Sequence, residues 1–302
     1  MRKIKIYHVD AFTTEPFGGN AAGVVPDASG LSEAEMQKIA REMNLSETAF
    51  LTPAGSESAA DFRVRYFTPA SEINFCGHAT IGSSWILGTE YGWTDKKENV
   101  VLETNIGLVP VAWQLEGGQL QTVTMTQAAP KTAPITHSAE HIATLLGLDP
   151  SDIDDRYPLK LGNTGNWHLL VPVKTRHAID NARPQFEALH DLNREYDAVT
   201  THLFTFDTQD DQYDIYTRDF APAVGIPEDP VTGSANGALA GYLYLEGIVE
   251  HGKEHHMTFG QGHIMGRPGT LHITILPGES APVVQVGGSA VSTIEGMLKL
   301  RD

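Results

Sequence analysis

Apolar and polar residues alternate along several short segments of the chain, a period that is typical of half-buried β-strands. Residues 3–12 and 61–67 show this alternation. One early segment has the period of a helix instead. Ser32 and Glu35 stand at capping-box spacing, and the apolar stripe that follows predicts a helix that ends near Asn44.

The second half of the chain repeats the order of motifs in the first half. The segment FTPA begins at Phe67 and resembles FAPA, which begins 153 positions later at Phe220. The segment CGHATIGSSWIL begins at Cys76 and resembles TGSANGALAGYL, which begins 156 positions later, two residues after Pro230. A separation that grows slowly along the chain is expected of a duplicated domain with small insertions. We therefore predict two similar domains.

The boundary between these domains is predicted where a strand pattern gives way to an Ala-, Pro- and Thr-rich connection, in QLQTVTMTQAAPKTAPIT. The first domain then covers residues 1–127 and the second covers residues 128–302. The final strand, in VQVGGSAV, is free to pack back onto the first domain. The second domain need not be one continuous segment.

Composition and charge narrow the classes of partner. The chain has 302 residues, of which 21 are Lys or Arg and 38 are Asp or Glu, so the net charge is −17. This charge argues against nucleic acid and anionic membrane surfaces as partners. The start of the chain has no secretory h-region, and no apolar run reaches the roughly 18 residues of a membrane helix. A single cysteine excludes an intramolecular disulfide. We expect a cytoplasmic protein.

Two Gly-rich segments are predicted to open long apolar helices, at Gly77 and Gly233. Free backbone N–H groups and the positive end of the helix dipole would bind a small carboxylate there, even on an acidic protein. The alternative is that these glycines only let each helix pack closely on its sheet. Neither segment has the pattern of a phosphate-binding or dinucleotide-binding loop.

Glu47 is the first candidate for chemistry. It lies between the first predicted helix and a strand, in NLSETAFL, among apolar residues. Partial desolvation would raise the pKa of this carboxyl group and suit it to both accept and donate a proton. The alternative is a glutamate in a surface turn or at a helix cap.

Four further candidates surround the two Gly-rich helix starts. Cys76 and His78 flank the first, where the helix dipole would favour a thiolate at Cys76. The alternatives are a small buried hydrophobe and a turn histidine. Asp229 and Ser234 enclose the second helix start, where the alternatives are a turn residue and a capping group.

The stretch HGKEHHMTFGQGH concentrates histidines next to Glu254, but no converging third ligand is evident. The surrounding glycines and β-prone residues predict a turn and a strand rather than a helix. We therefore predict that no metal site forms from these histidines, which are His251, His255, His256 and His263.

Six motifs, in this order along nearly the whole chain, resemble the PhzF family of phenazine-biosynthesis-like isomerases. They are HVDAFTTEPFGGNAAGVV, NLSETAFL, RYFTPASEINFCGHATIG, EDPVTGSANGALAGYL, GQGHIMGRPG and VQVGGSAVSTIEGML. The resemblance implies the α+β class and a diaminopimelate epimerase-like fold, in which two similar domains, each a curved, mainly antiparallel sheet around a central helix, are related by a pseudo-twofold axis. It also favours a homodimer.

The resemblance further implies a proton-transfer isomerisation that needs no cofactor and no metal. The family's namesake isomerises trans-2,3-dihydro-3-hydroxyanthranilate, and a glutamate takes a proton from one ring carbon while a proton returns to another. The glutamate of SETAF is Glu47. By motif, His78, Asp229 and Ser234 are expected to contact the substrate's polar groups. Backbone N–H groups near Gly77 and Gly233 are expected to bind its carboxylate.

The sequence departs from the related epimerases, which resemble this fold but use two opposed cysteines as acid and base. Cys76 matches the first of these positions, whereas Thr232 occupies the second. A threonine hydroxyl is too weak an acid or base for two-base racemisation. We therefore predict an isomerase acting on a small carboxylated, cyclic metabolite, with Cys76 as a candidate second proton donor. The alternatives are an amino-acid epimerase or racemase that uses Cys76, and a noncatalytic protein that binds small anions.

Overall fold

The computed structural model of the chain describes residues 1–300 and forms two compact units. The first unit contains Met1–Thr126 and the segment from Gly287 onward, and the second contains Gln127–Val286. The second unit thus begins at the last residue of the predicted first domain and ends before the C-terminal segment. Within the described part of the chain, no helix is both long and apolar enough to cross a membrane.

The first unit is built mainly of strands, with two helices inserted among them. Its elements are β1 (Arg2–Ala11), β2 (Asn20–Val25), α1 (Glu33–Met43), β3 (Glu47–Pro53), β4 (Phe62–Phe67), β5 (Glu72–Ile73), α2 (Gly77–Tyr91), β6 (Asn99–Thr104), β7 (Gly107–Glu116) and β8 (Gln119–Thr126), to which β18 (Ala290–Leu300) is added along β1.

The second unit contains the remaining elements. They are β9 (Lys131–Pro134), α3 (Ala139–Leu146), β10 (Lys160–Asn163), β11 (Trp167–Pro172), α4 (Arg176–Asn181), α5 (Phe186–Glu195), β12 (Ala198–Thr205), β13 (Ile215–Phe220), β14 (Glu228–Asp229), α6 (Gly233–Leu245), β15 (His255–Gln261) and β16 (Gly269–Leu276), with β17 (Val283–Gly288) leading the chain out of the unit and short 3-10 helices at Pro150–Asp152, Pro222–Val224 and His263–Met265.

The sequence signals that delimit α1 act as predicted. The side chain of Ser32 accepts a hydrogen bond from the backbone N–H of Glu35, and the Glu35 side chain accepts from the backbone N–H of Ser32. Asn44 ends the helix in the left-handed conformation, which asparagine tolerates better than most residues. The buried face of α1 packs into an apolar cluster of the first unit. The chain then turns directly into β3, which begins at Glu47.

Both units repeat the same strand pattern, and this confirms the predicted duplication. In the first unit β2 and β3 are parallel, β3 and β4 antiparallel, and β4 and β6 parallel. In the second unit β11 and β12, β12 and β13, and β13 and β15 follow the same sequence of directions. The register agrees as well, because Thr48 pairs with Phe67 and Thr201 pairs with Phe220.

A central helix organises each unit. The helix α2 packs on β1, β2, β3, β8 and β18, whereas α6 packs on β9, β10, β11 and β16. Both helices are buried around most of their circumference, which explains why their sequences are apolar or small on all sides rather than amphipathic. A Cβ atom at Gly241 of α6 would collide with the ring of Pro130, so glycine permits this close approach. The predicted α+β class, mainly antiparallel with a central helix in each half, is confirmed.

Candidate active site

Glu47 lies at the start of β3, beside Ala22 of β2, where the chain has just left α1. Its side chain is 18% exposed, so the carboxylate is largely shielded but reaches solvent. One carboxylate oxygen, Oε2, lies 3.2 Å from Nε2 of His78. The alternative of a freely solvated turn glutamate does not hold.

Cys76 and His78 are brought to Glu47 by the N-terminus of α2. Cys76 is the N-cap residue, in an extended conformation, and His78 is the second residue of the helix. Both residues are 7% exposed. The imidazole Nδ1 of His78 lies 3.4 Å from Cys76 Sγ, and its Nε2 lies 3.4 Å from the hydroxyl of Ser46. The cluster Glu47, Cys76, His78 and Ser46 is called the Glu47 cluster below.

The pKa of Glu47 differs from the sequence-based expectation. Burial would raise the pKa of this carboxyl group, but the hydrogen bond and positive charge of His78, with a smaller effect of Ser46, outweigh burial and bring the pKa below its ordinary value. The predicted raised pKa is therefore wrong, because the sequence did not reveal the histidine beside it. Glu47 is an ionised carboxylate at neutral pH.

The expected thiolate at Cys76 is also wrong. Burial, followed by the negative charge of Glu47, raises the pKa of the thiol to about 11, and these effects outweigh the opposing contacts with His78 and with the backbone of Ala79. Cys76 is thus a neutral thiol at physiological pH. The position at a helix N-terminus is not sufficient when the sulfur is buried next to a carboxylate.

This assignment predicts that Cys76 alkylates slowly in the native protein. At pH 8, iodoacetamide should modify the folded chain about 100-fold or more slowly than the urea-unfolded chain, because the nucleophile is the thiolate. The chain has a single cysteine, so mass spectrometry of the intact protein reports this site alone. Similar rates for the folded and unfolded chains would contradict the assignment.

His78 is the positive partner of Glu47. Burial would lower its pKa, but Cys76 and Glu47 raise it well above the ordinary value of 6.5. Because Cys76 is a neutral thiol, the carboxylate of Glu47 is the charge that stabilises the imidazolium. At neutral pH the cluster therefore holds a carboxylate and an imidazolium in direct contact.

A His78→Gln variant should reveal this charge in the stability of the protein. A raised pKa in the folded state means that the imidazolium contributes its full stabilisation below the unfolded pKa of about 6.5 and loses it as the pH rises through the folded pKa. The difference in unfolding free energy between wild type and variant, from urea titrations, should therefore shrink as the pH rises from about 6 to 9. The control is His256→Gln, which removes an exposed imidazole. A difference that is constant across this pH range would count against the charged pair.

The Glu47 cluster also contains the ligand types of a metal site. One ligand atom each from Glu47, Cys76 and His78 lies within 4.8 Å of the other two. A zinc ion accepts this donor set. Binding a metal there would replace the hydrogen bond between Glu47 and His78, and the neutral thiol would have to lose its proton. The sequence predicts no metal site.

In the second unit, Asp229 and Thr232 meet at the start of α6. Asp229 ends β14, Thr232 is the N-cap residue, and the two oxygens Thr232 Oγ1 and Asp229 Oδ2 are 2.6 Å apart. Gly233 and Ser234 form the first turn of α6, with Gly233 buried and Ser234 partly exposed. Ser234 lies within the helix, so the alternative of an N-cap serine is wrong.

Neither helix start is capped by its own N-cap side chain, since Cys76 and Thr232 make no capping hydrogen bond. The first turns, which begin at Gly77 and Gly233, therefore keep the donor character that an anion requires.

The histidines of the HGKEHHMTFGQGH stretch bond to other groups. His251 and His255 bond to backbone carbonyl oxygens, and His256 pairs with Glu254.

Sequence reasoning missed two residues of these clusters. Ser46 directly precedes Glu47 in the sequence. Asp219 is fully buried under the start of α6, with its Oδ2 3.0 Å from Thr232 Oγ1. The signal for Asp219 was present in the duplication, because the register that aligns Phe67 with Phe220 also aligns Asp219 with the buried Tyr66. An acidic residue at a strand position that is buried in the other half was therefore the sequence signal for Asp219.

Comparison with known proteins identifies the family. The family model for PhzC–PhzF, described as phenazine biosynthesis-like protein, matches residues 9–296. An uncharacterized isomerase of Clostridium acetobutylicum is 33% identical, and the alignment covers 99% of both chains. Trans-2,3-dihydro-3-hydroxyanthranilate isomerase of Pseudomonas aeruginosa is 33% identical, with 95% of this chain and 96% of that protein covered.

A solved structure gives the same answer. The crystal structure of the Bacillus anthracis phenazine biosynthesis protein of the PhzF family matches with a TM-score of 0.89 at 33% identity, and covers 99% of this chain and 100% of that chain. The fold is thus diaminopimelate epimerase-like, as the motifs implied. Sequence, fold and relatives agree that this chain belongs to the PhzC–PhzF family and is a PhzF-type isomerase.

Proposed function

We propose that this isomerase moves a proton between two carbon atoms of a small carboxylated, cyclic substrate similar to trans-2,3-dihydro-3-hydroxyanthranilate, with Glu47 as the base. The observation that carries the proposal is the contact between Glu47 and His78, 3.2 Å long and largely buried. It keeps the carboxylate ionised, oriented and partly open to solvent. An ionised carboxylate is ready to accept a proton at neutral pH.

His78 is proposed to stabilise the negative charge that develops on the substrate. Removing a proton from carbon leaves negative charge on the substrate, and a nearby imidazolium stabilises such charge. His78 carries the positive charge that this requires, because its pKa lies well above the ordinary value. When Glu47 takes up a proton, its attraction for His78 weakens, and the imidazolium is freed to bond to the substrate.

Each of the two uncapped helix starts is a candidate to hold the substrate's carboxylate. Backbone N–H groups near Gly77 and Gly233 are the proposed donors, because neither N-cap side chain occupies them. Asp229 and Ser234 are proposed to contact the amino and hydroxyl groups. A carboxylate bound by backbone dipoles needs no lysine or arginine, which accommodates the net charge of −17.

The alternatives find less support. Two-base epimerisation needs an ionisable acid at each helix start, but the pKa of Cys76 is about 11 and its counterpart is Thr232. A noncatalytic anion-binding protein does not fit a chain whose relatives are named isomerases along nearly their whole length.

Homodimerisation and a cytoplasmic location remain predictions. A mass of about twice 32.8 kDa by light scattering would support the dimer.

The decisive test is proton exchange in D2O followed by NMR. The protein is incubated with trans-2,3-dihydro-3-hydroxyanthranilate, and we expect isomerised product that carries deuterium at the carbon that receives the proton. Amino acids with free α-hydrogens are included to test epimerisation. Exchange at an amino-acid α-carbon, with none in the cyclic substrate, would reject the proposal in favour of an epimerase.

A further inference from the structure

Gln261 is a buried polar residue to which the proposed function gives no role. It belongs to the motif GQGHIMGRPG. It ends β15, pairs with Thr217 of the parallel strand β13, and is 1% exposed. Its side chain bonds to Asp229 and Thr232, the two ends of the segment that leads from β14 into α6. A polar side chain that is buried this deeply requires hydrogen-bond partners, and their identity indicates its role.

The side-chain amide of Gln261 makes four hydrogen bonds of 3.1 Å or less. Its Oε1 accepts from the backbone N–H of Thr232 at 3.0 Å and from Nδ2 of Asn236 at 2.7 Å. Its Nε2 donates to the backbone carbonyl of Asp229 at 2.9 Å and to Thr232 Oγ1 at 3.1 Å. A side-chain amide has two lone pairs and two hydrogens to offer, so these four bonds use all of them.

The direction of these bonds follows from the two backbone groups. A backbone N–H can only donate and a backbone carbonyl can only accept, so the amide oxygen must face Thr232 and the amide nitrogen must face Asp229. A glutamate would place an oxygen against the carbonyl oxygen of Asp229. An aliphatic residue would offer neither backbone group a hydrogen bond. Glutamine therefore matches both ends of the segment at once.

Gly262, the next residue, lets the chain pass close to the same segment. Its φ of +86° lies in the left-handed region. A Cβ atom there would lie 2.7 Å from the carbonyl oxygen of Pro230 and would collide with that of Arg267. Any residue other than glycine would force these backbones apart. Gln261 thus bonds to the two ends of the segment, and Gly262 permits the close approach at Pro230.

The first unit supports its helix start differently. The strands β4 and β6 correspond to β13 and β15, and their register places Thr104, the last residue of β6, where Gln261 ends β15. The hydroxyl of Thr104 donates to the carbonyl of Gly107 at 2.9 Å, across the turn into β7. A single hydroxyl cannot replace the four bonds of an amide. The amide support is therefore specific to the start of α6.

We infer that Gln261 is a positioning residue, which fixes the start of α6 so that this helix start holds the substrate's carboxylate. Gln261 takes the N–H of Thr232, and the donors that remain for the anion are the N–H groups of Gly233 and Ser234 in the first turn. Both point along the helix axis, so a tilt of the segment would misdirect them together. This role rests on the proposed function, whereas the four hydrogen bonds belong to the free protein.

Hydrogen exchange tests these bonds without any substrate. In protein labelled with ¹⁵N-threonine, the amide of Thr232 should exchange about 10-fold or more faster in Gln261→Met than in the wild type, because methionine offers no strong acceptor. The control is Gln185→Met, the same replacement at an exposed position of the second unit, where the side chain bonds to the carbonyl of Thr144. It should leave the exchange of Thr232 unchanged. Equal exchange in the wild type and in folded Gln261→Met would overturn the inference.

Turnover of trans-2,3-dihydro-3-hydroxyanthranilate tests the positioning. Gln261→Met should raise KM about 10-fold or more and keep kcat within about threefold of the wild type, because the carboxylate is bound in the ground state and the transition state alike. A merely structural defect reduces the fraction of active protein, which lowers the apparent kcat and leaves KM unchanged. A wild-type KM in the folded variant, or a loss in kcat alone, would reject the positioning role.

A second variant keeps the test decisive if Gln261→Met does not fold. Gln261→Asn preserves the amide but withdraws it by about 1.5 Å, the length of one C–C bond. It should also raise KM and accelerate the exchange of the Thr232 amide. Wild-type values of both quantities in Gln261→Asn would contradict the inference.

A binding experiment separates this inference from the proposed function. If the wild type does not turn over the cyclic substrate, the proposed function fails, and benzoate, a cyclic carboxylate, is titrated onto ¹⁵N-labelled protein. We then expect shifts of the Gly233 and Ser234 amides, with a Kd that is about 10-fold higher in Gln261→Met, a difference worth about 1.4 kcal/mol. Absence of these shifts from the wild type, or an equal Kd in the variant, would overturn the inference.

Discussion

Replacement of Glu47 with glutamine is expected to lower kcat/KM for the cyclic substrate by about 10²–10⁴-fold, the usual contribution of a positioned general base. Glutamine keeps the size and the oxygen that meets His78 Nε2 at 3.2 Å, but it cannot take a proton from carbon. The loss should fall on kcat, since the glutamine leaves the uncapped helix starts unchanged. Initial rates and deuterium incorporation in D2O measure both quantities.

The matched control is Glu42→Gln, the same replacement at an exposed position of α1 five residues earlier. It should leave kcat and KM near the wild-type values. Circular dichroism and thermal unfolding establish that Glu47→Gln folds. Wild-type rates in folded Glu47→Gln protein would remove Glu47 from the mechanism.

Replacement of Phe204 with alanine is expected to lower the free energy of unfolding by about 3–5 kcal/mol, the range for emptying a large aromatic position in a core. Phe204 is completely buried in β12, and its ring meets the ring of Tyr242, in α6, edge to face at a centroid distance of 5.8 Å. The same strand carries Thr200 and His202. The loss is a large share of the roughly 5–15 kcal/mol by which a protein of this kind is stable.

Urea unfolding followed by circular dichroism measures this cost. The control is Phe17→Ala, since Phe17 is 76% exposed, and its effect should stay within about 0.5 kcal/mol. A cost for Phe204→Ala as small as that of the control would show that α6 is not held by this contact.

The sequence anticipated the fold well because the fold depends on local patterns that occur twice. The capping box at Ser32 and Glu35 and the offset from Phe67 to Phe220 each correspond to an observed feature. The course of the last strand was harder to predict. The strand β18 pairs with β1, almost the full length of the chain away. No local pattern encodes a pairing between such distant segments.

The sequence identified the residues of the candidate site but not their pKa values. Motifs selected Glu47, Cys76 and His78, and the structure places them in one cluster. The pKa shifts of the carboxyl group and the thiol were predicted in the wrong direction, because the pKa of each depends on burial and on the charge beside it. Neither quantity can be read from the order of residues.

By itself, the sequence determined the α+β class, the duplication, the family and the positions that carry Glu47 and Asp229. These features depend on periodicity, on glycines at helix starts and on motif order, all of which are local or repeated along the chain. The tertiary structure alone decided which side chains meet and which of them are charged. It set the ionised Glu47 against His78, kept the Cys76 thiol neutral, and placed Asp219 behind Thr232. Proton transfer is governed by distances of about 3 Å and by exclusion of water, and folding alone creates both.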